Sequence, residues 1–233
     1  MVANHVDAGL IEAVRRALAA AADPARAPGM QAYMKSAMPY RGVQAPAQRQ
    51  ILRATFAAHP LPDRPTWEAT VRALWRHAAF REERYAAVAL TGDRRYRGWQ
   101  DTGTMRIYEE FVVTGAWWDY VDEVAIRRIG PVLLADPTTM VPTMLAWSRD
   151  RDLWKRRAAI ICQVGAKAAT DTGLLRACIA PNVGDREFFI RKGIGWALRE
   201  HAKRDPGWVR SIVAEFDGQL SGLSKREALK HLA

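Results

Sequence analysis

The sequence predicts an all-α protein, and three observations support this fold class. Apolar residues recur at spacings of three and four along most of the 233 residues. Runs that alternate apolar and polar residues, as strands do, are almost absent. Prolines such as Pro46, Pro65, Pro131 and Pro142 fall between the periodic stretches or in their first turns, where the missing amide hydrogen costs a helix little. We therefore expect about a dozen helices.

The helical period is clearest in four stretches: Gly9 to Ala22, Ala47 to Ala58, Trp67 to Ala79 and Trp154 to Val164. A further helix is expected to begin after Thr114-Gly115, and Asp119 in its first turn would stabilise the helix dipole. Connections are short apart from the polar stretch Thr91 to Thr104. No linker between domains is evident, so residues 1–233 are expected to form a single domain.

The composition favours a protein with a large core and an anionic partner. Hydrophobic residues make up 49% of the chain, and the formal net charge is +10 with a pI near 10.0. Nucleic acid is the commonest partner of so basic a protein, although the base composition of a genome could by itself produce an arginine-rich sequence with the same charge. No apolar run approaches the roughly 20 residues of a membrane span. We expect a cytoplasmic protein that does not bind membranes.

Several kinds of active site are disfavoured. The sequence contains no glycine-rich phosphate loop, no paired metal-binding histidines and no serine elbow. Cys162 and Cys178 lack the spacing of metal ligands and are expected to be reduced structural thiols. We therefore expect no cofactor and no metal ion.

An even spacing connects three residues in the second half of the chain. Arg157 follows Trp118 by 39 residues, and Trp196 follows Arg157 by another 39. Going backward, steps of 43 and 42 residues reach Trp75 and Tyr33. Repeats of about 40 residues are typical of HEAT and armadillo helix pairs, which stack around a concave groove. Chance and core packing could also produce such spacings, since the chain has nine tryptophans.

The segment from Trp117 to Asp122 is the best candidate for a site. Residues four apart are neighbours on a helix, so Trp118 and Asp122 share one face. Trp117 lies on a different face and is expected to be buried. Taken alone, Asp122 could be a solvated or salt-bridged aspartate, and Trp118 and Trp196 could be core residues.

The order of five motifs resembles that of the AlkD-like DNA alkylation-repair glycosylases. The resemblance spans nearly the whole chain, is densest from Trp117 onward, and is weakest at Thr91 to Met105. The motifs are Tyr33-Met34-Lys35, the segment Trp117 to Asp122, the segment Trp154 to Ile160, the segment Glu187 to Glu200 and the segment Leu223 to His231.

The resemblance implies an all-α superhelical array of HEAT-like helical repeats with a concave, basic DNA-binding face. It also implies hydrolysis of the N-glycosidic bond of N3- or N7-alkylated purines in double-stranded DNA. We expect the protein to act as a monomer and to leave an abasic site. The catalytic carboxylate of the family matches Asp122, its groove tryptophans match Trp118 and Trp196, its key arginine matches Arg157, and its N-terminal aromatic contact matches Tyr33.

The positive charge of an alkylated purine explains how one catalytic carboxylate could be enough. Glycosidases ordinarily use one carboxyl group to protonate the leaving group. A purine alkylated at N3 or N7 is already cationic and leaves as a neutral base, so Asp122 alone could stabilise the sugar cation and hold the attacking water. No lysine stands out as an amine nucleophile, and a monofunctional glycosylase is expected.

Basic side chains are expected to hold the DNA. Arg157 is interpreted as a contact to phosphate or the sugar backbone, and Arg156 as either a second contact or an ordinary surface charge. The expected DNA-binding residues are Tyr33, Lys35, Arg156, Lys192, Lys203, Lys225, Arg226 and Lys230. Two other functions stay open: a catalytically silent protein that binds DNA structures or damage, and a scaffold for an acidic protein.

Overall fold

The computed structural model describes residues 6–232, and this part of the chain contains helices and no strands. The all-α prediction is confirmed. The described residues form two compact units, the first ending at Trp99 and the second beginning at Gln100. The single domain, the HEAT-like repeat and the concave basic face stay predictions. No helix within residues 6–232 is long and apolar enough to cross a membrane.

The first unit contains five α-helices. A short 3-10 helix, Arg94–Trp99, ends the unit. The α-helices are α1 (Ala8–Ala20), α2 (Ala27–Tyr33), α3 (Ala45–Ala58), α4 (Arg64–Arg76) and α5 (Arg81–Thr91).

The second unit carries the remaining described α-helices. A π-helical segment, Ala125–Ile129, joins two of them, and short 3-10 helices occur at Thr102–Thr104, Lys167–Ala169 and Ala180–Asn182. The α-helices are α6 (Met105–Gly115), α7 (Trp118–Val124), α8 (Gly130–Ala135), α9 (Pro137–Trp147), α10 (Leu153–Ile161), α11 (Thr172–Ile179), α12 (Phe188–Ala202), α13 (Pro206–Glu215) and α14 (Gly222–Leu229).

Helix starts follow local sequence signals. Prolines occupy the first turn of several helices, as expected, but Pro142 lies inside α9, where the helix tolerates one missing amide donor. Aspartate side chains also accept amide hydrogens at helix starts and so satisfy donors that would lack a partner. These capping residues are Asp7, Asp63, Asp136, Asp152, Asp171 and Asp205.

The polar stretch after α5 is ordered by aromatic packing. Tyr96 is buried and stacks on Trp99, with ring centroids 4.9 Å apart. Both rings also contact Trp67 of α4. The Tyr96 hydroxyl accepts a hydrogen bond of 2.8 Å from the amide of Leu61. The part of this stretch that lies in the first unit, up to Trp99, is therefore anchored to the core of that unit.

A buried carboxylate organises the first unit. Glu82 is fully buried and accepts hydrogen bonds of 2.9–3.1 Å from the backbone amides of Arg41, Gly42 and Val43. A buried charge is tolerated when hydrogen bonds replace its hydration. Glu82 thereby fixes the segment between α2 and α3, a role that the sequence analysis did not predict.

The two cysteines are free and buried, in agreement with structural thiols. Burial raises the pKa of Cys178 to about 12 and raises the pKa of Cys162 as well. Reactive cysteines are exposed and have lowered pKa values, so neither thiol has the character of a nucleophile.

Candidate active site

Helix α7 places Trp118 and Asp122 one turn apart, as predicted. Helix α6 ends at Gly115, and the left-handed backbone of the next residue, Ala116 (φ 44°), turns the chain before Trp117. Asp119 lies in the first turn of α7, and its carboxylate accepts a 2.9 Å hydrogen bond from the amide of Tyr120. A π-helical segment, Ala125–Ile129, follows Asp122 closely. Such segments often occur inside helices at functional sites.

The carboxylate of Asp122 is held by Arg157 of α10. Arg157 Nε lies 2.7 Å from one carboxylate oxygen of Asp122, and Nη2 lies 2.8 Å from the other. The remaining nitrogen, Nη1, donates to the carbonyl oxygen of Phe189 at 2.5 Å. A two-point arginine–carboxylate pair fixes orientation as well as charge. A single guanidinium group therefore holds both oxygens of the Asp122 carboxylate.

This geometry gives Arg157 a partner within the protein that the sequence alone did not identify. The residue is only 5% exposed, and each of its three guanidinium nitrogens donates to a protein oxygen. A guanidinium has five N–H groups, and the two that remain are buried with the side chain and have little access to a phosphate. In the structure Arg157 therefore holds the carboxylate of Asp122, and its contact with DNA stays a prediction.

Burial and Arg157 act in opposite directions on the pKa of Asp122. The side chain is 16% exposed, and desolvation raises its pKa above the ordinary value for aspartate. The hydrogen bonds and positive charge of Arg157 lower it, and the nearby charge of Asp119 adds a smaller upward effect. The result is a raised pKa for Asp122.

An aromatic cluster of Trp117, Trp154 and Phe189 supports the Asp122–Arg157 pair. The ring of Trp117 lies 6.0 Å from that of Trp154 and 5.4 Å from that of Phe189. Trp154 and Phe189 are 5.0 Å apart. Trp117 is half-buried, so it packs as predicted but is not fully enclosed. The cluster fixes Phe189, whose carbonyl binds Arg157. No side-chain pattern could have revealed this role, because a backbone atom performs it.

Asp122 and Trp196 line the same cleft, which has a volume of about 730 Å³. One wall comes from α7, the π-helical segment and α8, and the opposite wall from α12. The loop after α10 supplies further lining residues. Trp118 is half-buried one turn before Asp122. The lining residues are Asp122, Glu123, Ile126, Arg127, Gly130, Pro131, Leu134, Cys162, Val164, Gly165, Ala166, Lys167, Trp196 and Glu200.

Three glycines allow the close helix contacts around the site. A side chain at Gly130 would collide with the carbonyl oxygen of Cys162. A Cβ at Gly195 would lie 2.5 Å from Cβ of Glu227 in α14, and one at Gly193 would lie 3.3 Å from Nη1 of Arg157. Helices α8, α10, α12 and α14 can therefore approach one another only because these positions lack side chains.

Several predicted DNA-binding residues form ion pairs within the protein. Lys192 binds Glu227 at 2.9 Å, and Lys203 binds Glu200 at 2.6 Å. Lys225 pairs with Asp217.

Arg156 is also engaged within the protein. It is half-buried, bonds Asp185 at 3.1 Å and donates to the carbonyl oxygen of Asp150 at 2.9 Å. Arg156 is therefore not an ordinary surface charge, and its contact with DNA stays a prediction.

The other predicted DNA-binding residues are accessible. Arg226 is exposed on α14 and Lys230 is exposed just after its end, and neither forms an ion pair with another residue in 6–232. In the first unit, Tyr33 is 77% exposed at the end of α2. The exposed Lys35 follows it with a left-handed backbone, φ 48°. Their contact with DNA stays a prediction.

Comparison with known proteins places these observations in context. The sequence model of a family described as DNA alkylation repair enzyme matches residues 14–232. A solved structure, described as a predicted DNA alkylation repair enzyme from Enterococcus faecalis, superposes with a TM-score of 0.81 at 30% sequence identity. The alignment covers 91% of this chain and 97% of that chain. The comparison with curated proteins found no match.

Proposed function

The chain belongs to the DNA alkylation repair enzyme family, and this membership indicates a role in the repair of alkylated DNA; we propose a specific reaction for it. The protein is a monofunctional DNA glycosylase that hydrolyses the N-glycosidic bond of cationic N3- or N7-alkylated purines in duplex DNA. It acts as a monomer, needs no metal or cofactor, and leaves an abasic site.

The observation that carries this proposal is the geometry of Asp122. Arg157 binds both carboxylate oxygens on one side, at 2.7 and 2.8 Å. Two carboxylate oxygens offer about four acceptor positions, so positions remain for other donors. Asp122 also lines the cleft. A fixed carboxylate with free acceptor positions can bind the attacking water and face the sugar.

The carboxylate favours the transition state over the bound substrate. As the glycosidic bond breaks, positive charge develops on the sugar, and the ionised Asp122 stabilises it. The alkylated base carries its positive charge before the bond breaks and departs as a neutral molecule. Water bound to Asp122 then adds to the anomeric carbon and gives a proton to the Asp122 carboxylate, which passes it on to solvent. The enzyme therefore needs no second carboxyl group to act as an acid.

The two tryptophans select for positive charge. Trp196 lines the cleft with Asp122, and Trp118 lies on the same face of α7. An indole face attracts a cation with about 0.5 to 2 kcal/mol, depending on desolvation. Both indoles can therefore favour the alkylated nucleotide and the sugar cation over undamaged DNA.

The decisive experiment measures the release of free 7-methylguanine and 3-methyladenine from methylated duplex DNA in the presence of a chelator. Asp122→Asn is expected to lower the rate of release by about 100-fold or more, because it removes the charge that stabilises the transition state. DNA binding should persist. Asp119→Asn is the matched control, since Asp119 lies in the same helix at the first turn and should tolerate the change.

Other outcomes would select other functions. Equal release by wild type and Asp122→Asn would reject the catalytic role of Asp122. If wild type binds DNA but releases no base from any alkylated substrate, the silent DNA-binding function is correct. If it does not bind DNA, the scaffold for an acidic protein becomes the better explanation of its charge.

A further inference from the structure

Lys167 lies beside the catalytic cleft, where no motif drew attention to it. It lines the cleft together with Asp122 and Trp196. It also lines a smaller neighbouring cavity of about 390 Å³, together with the basic residues Lys203 and Arg204. Lys167 therefore stands at the border of two adjoining cavities.

The backbone of Lys167 adopts a left-handed conformation with φ 55°. Residues with a Cβ seldom adopt this conformation because it costs free energy, and such strained residues cluster at functional sites. Glycine would fit here without strain. The strain is held in place by Thr170, whose hydroxyl and amide donate to the Lys167 carbonyl oxygen at 2.8 and 3.3 Å.

The loop that carries Lys167 is closed at its base by a buried glutamine. Gln163 Nε2 donates to the carbonyl oxygen of Asp171 at 3.0 Å, and its Oε1 accepts from the Asp171 amide at 2.8 Å. Gln163 is only 6% exposed. The loop is thus a defined structure, and it directs a lysine to the cleft.

The charge of Lys167 is not used within the protein. The three carboxylates that line the cleft have other partners: Asp122 binds Arg157, Glu123 binds Arg128 at 3.2 Å, and Glu200 binds Lys203. Lys167 itself is exposed and forms no ion pair with another residue in 6–232. Arg127 is a second exposed cation among the lining residues, but it lies on the π-helical segment that carries on from Asp122. The ammonium group of Lys167, on the loop after α10, is therefore available for an anionic ligand.

From these observations we propose that Lys167 binds the backbone phosphate next to the damaged nucleotide and so fixes the strand over Asp122. The proposal rests on the DNA-binding part of the proposed function. In double-stranded DNA, phosphate is the anionic group adjacent to every sugar. A cation at the cleft edge can therefore bind it while Asp122 faces the sugar.

The test compares wild type with Lys167→Gln, using a short duplex that contains one tetrahydrofuran abasic analogue. In matched duplexes, a single phosphate on either side of the analogue is replaced by an uncharged methylphosphonate. Wild type should lose affinity strongly at one replaced position, and Lys167→Gln should be indifferent to that replacement. The slope of log affinity against log salt should fall by about 0.9 in Lys167→Gln, as for one phosphate contact.

Two further variants separate charge from folding. Lys167→Arg keeps the charge and should retain the wild-type response to the neutral linkage. Lys167→Gly relieves the backbone strain, so it should not lower Tm, yet it should lose affinity like Lys167→Gln. The proposal is overturned if Lys167→Gln and wild type respond alike to each neutral linkage, or if the salt slope is unchanged.

The binding test of Lys167 can be interpreted separately from the test of base release. Base release by wild type combined with wild-type binding by Lys167→Gln would overturn the role of Lys167 alone. A position-specific loss in Lys167→Gln, found together with no base release by wild type, would support the phosphate contact and reject the glycosylase reaction.

Discussion

At the residue scale, the protonation of Asp122 links its surroundings to the rate of reaction. The proposed mechanism needs the ionised carboxylate, so base release should fall as pH decreases through the pKa of Asp122. Burial raises this pKa, and the fall should therefore occur at a higher pH than an ordinary aspartate would impose. The measurement is the single-turnover rate against pH, with the rate of Asp122→Asn subtracted to remove spontaneous depurination.

Arg157 should shift this profile if it positions Asp122. Its positive charge lowers the pKa of Asp122, so Arg157→Gln should move the fall in activity to a still higher pH. Arg157→Lys retains a charge and should restore part of the profile, although an amine cannot bind both oxygens as a guanidinium does. A phosphate contact would instead change the salt dependence of DNA binding and leave the pH profile in place. That outcome would contradict the positioning role.

How much of the site the sequence could predict depends on the kind of interaction. The spacing of Trp118 and Asp122 predicted a shared helix face, because four residues make slightly more than one helical turn. The partner of Arg157 was not predictable, since Asp122 lies 35 residues away and the contact depends on how α7 and α10 pack. Lys167 escaped attention because its distinguishing feature is a backbone angle.

At the element scale, Gly130 controls the approach of α8 to the end of α10. A Cβ at this position would collide with the carbonyl oxygen of Cys162, a backbone atom that cannot rotate away. Gly130→Ala should therefore destabilise the protein by about 1 to 3 kcal/mol, the usual cost of overpacking. It should also lower the rate of base release, because α8 continues from the helical run that carries Asp122.

The control for this change is Gly184→Ala, since a Cβ at Gly184 meets nothing within 4 Å. Urea denaturation measures the free energy of unfolding of both variants. Equal stability of Gly130→Ala and Gly184→Ala would show that α8 and α10 can separate without cost, and would contradict the role given to Gly130.

Helices were more predictable than their irregularities. The predicted stretches Ala47 to Ala58 and Trp67 to Ala79 overlap α3 and α4, since apolar periodicity and first-turn prolines are local signals. The π-helical segment Ala125–Ile129 has no comparable local signal. Its extra residue per turn depends on how the helix packs, and this segment follows the residue proposed for catalysis.

At the scale of the whole molecule, net charge is a poor guide to how many side chains reach DNA. The chain has 35 lysines and arginines against 25 acidic residues. The structure shows that Lys192 and Lys225 each pair with a carboxylate, whereas Arg226 and Lys230 of the same basic third form no ion pair within residues 6–232. All four cations contribute equally to the net charge, but in the described residues only two of them are paired with carboxylates.

This division predicts different salt dependences for two variants of equal net charge. Replacing Arg226 and Lys230 by glutamine should lower the slope of log affinity against log salt by about 1.8, as for two phosphate contacts. Replacing Lys192 and Lys225 by glutamine should lower it less, because their charges are already partly neutralised by Glu227 and Asp217. The measurement is binding to undamaged duplex over a range of salt concentrations. Equal slopes for the two variants would mean that affinity follows total charge, and Arg226 and Lys230 would then have no special part in holding DNA.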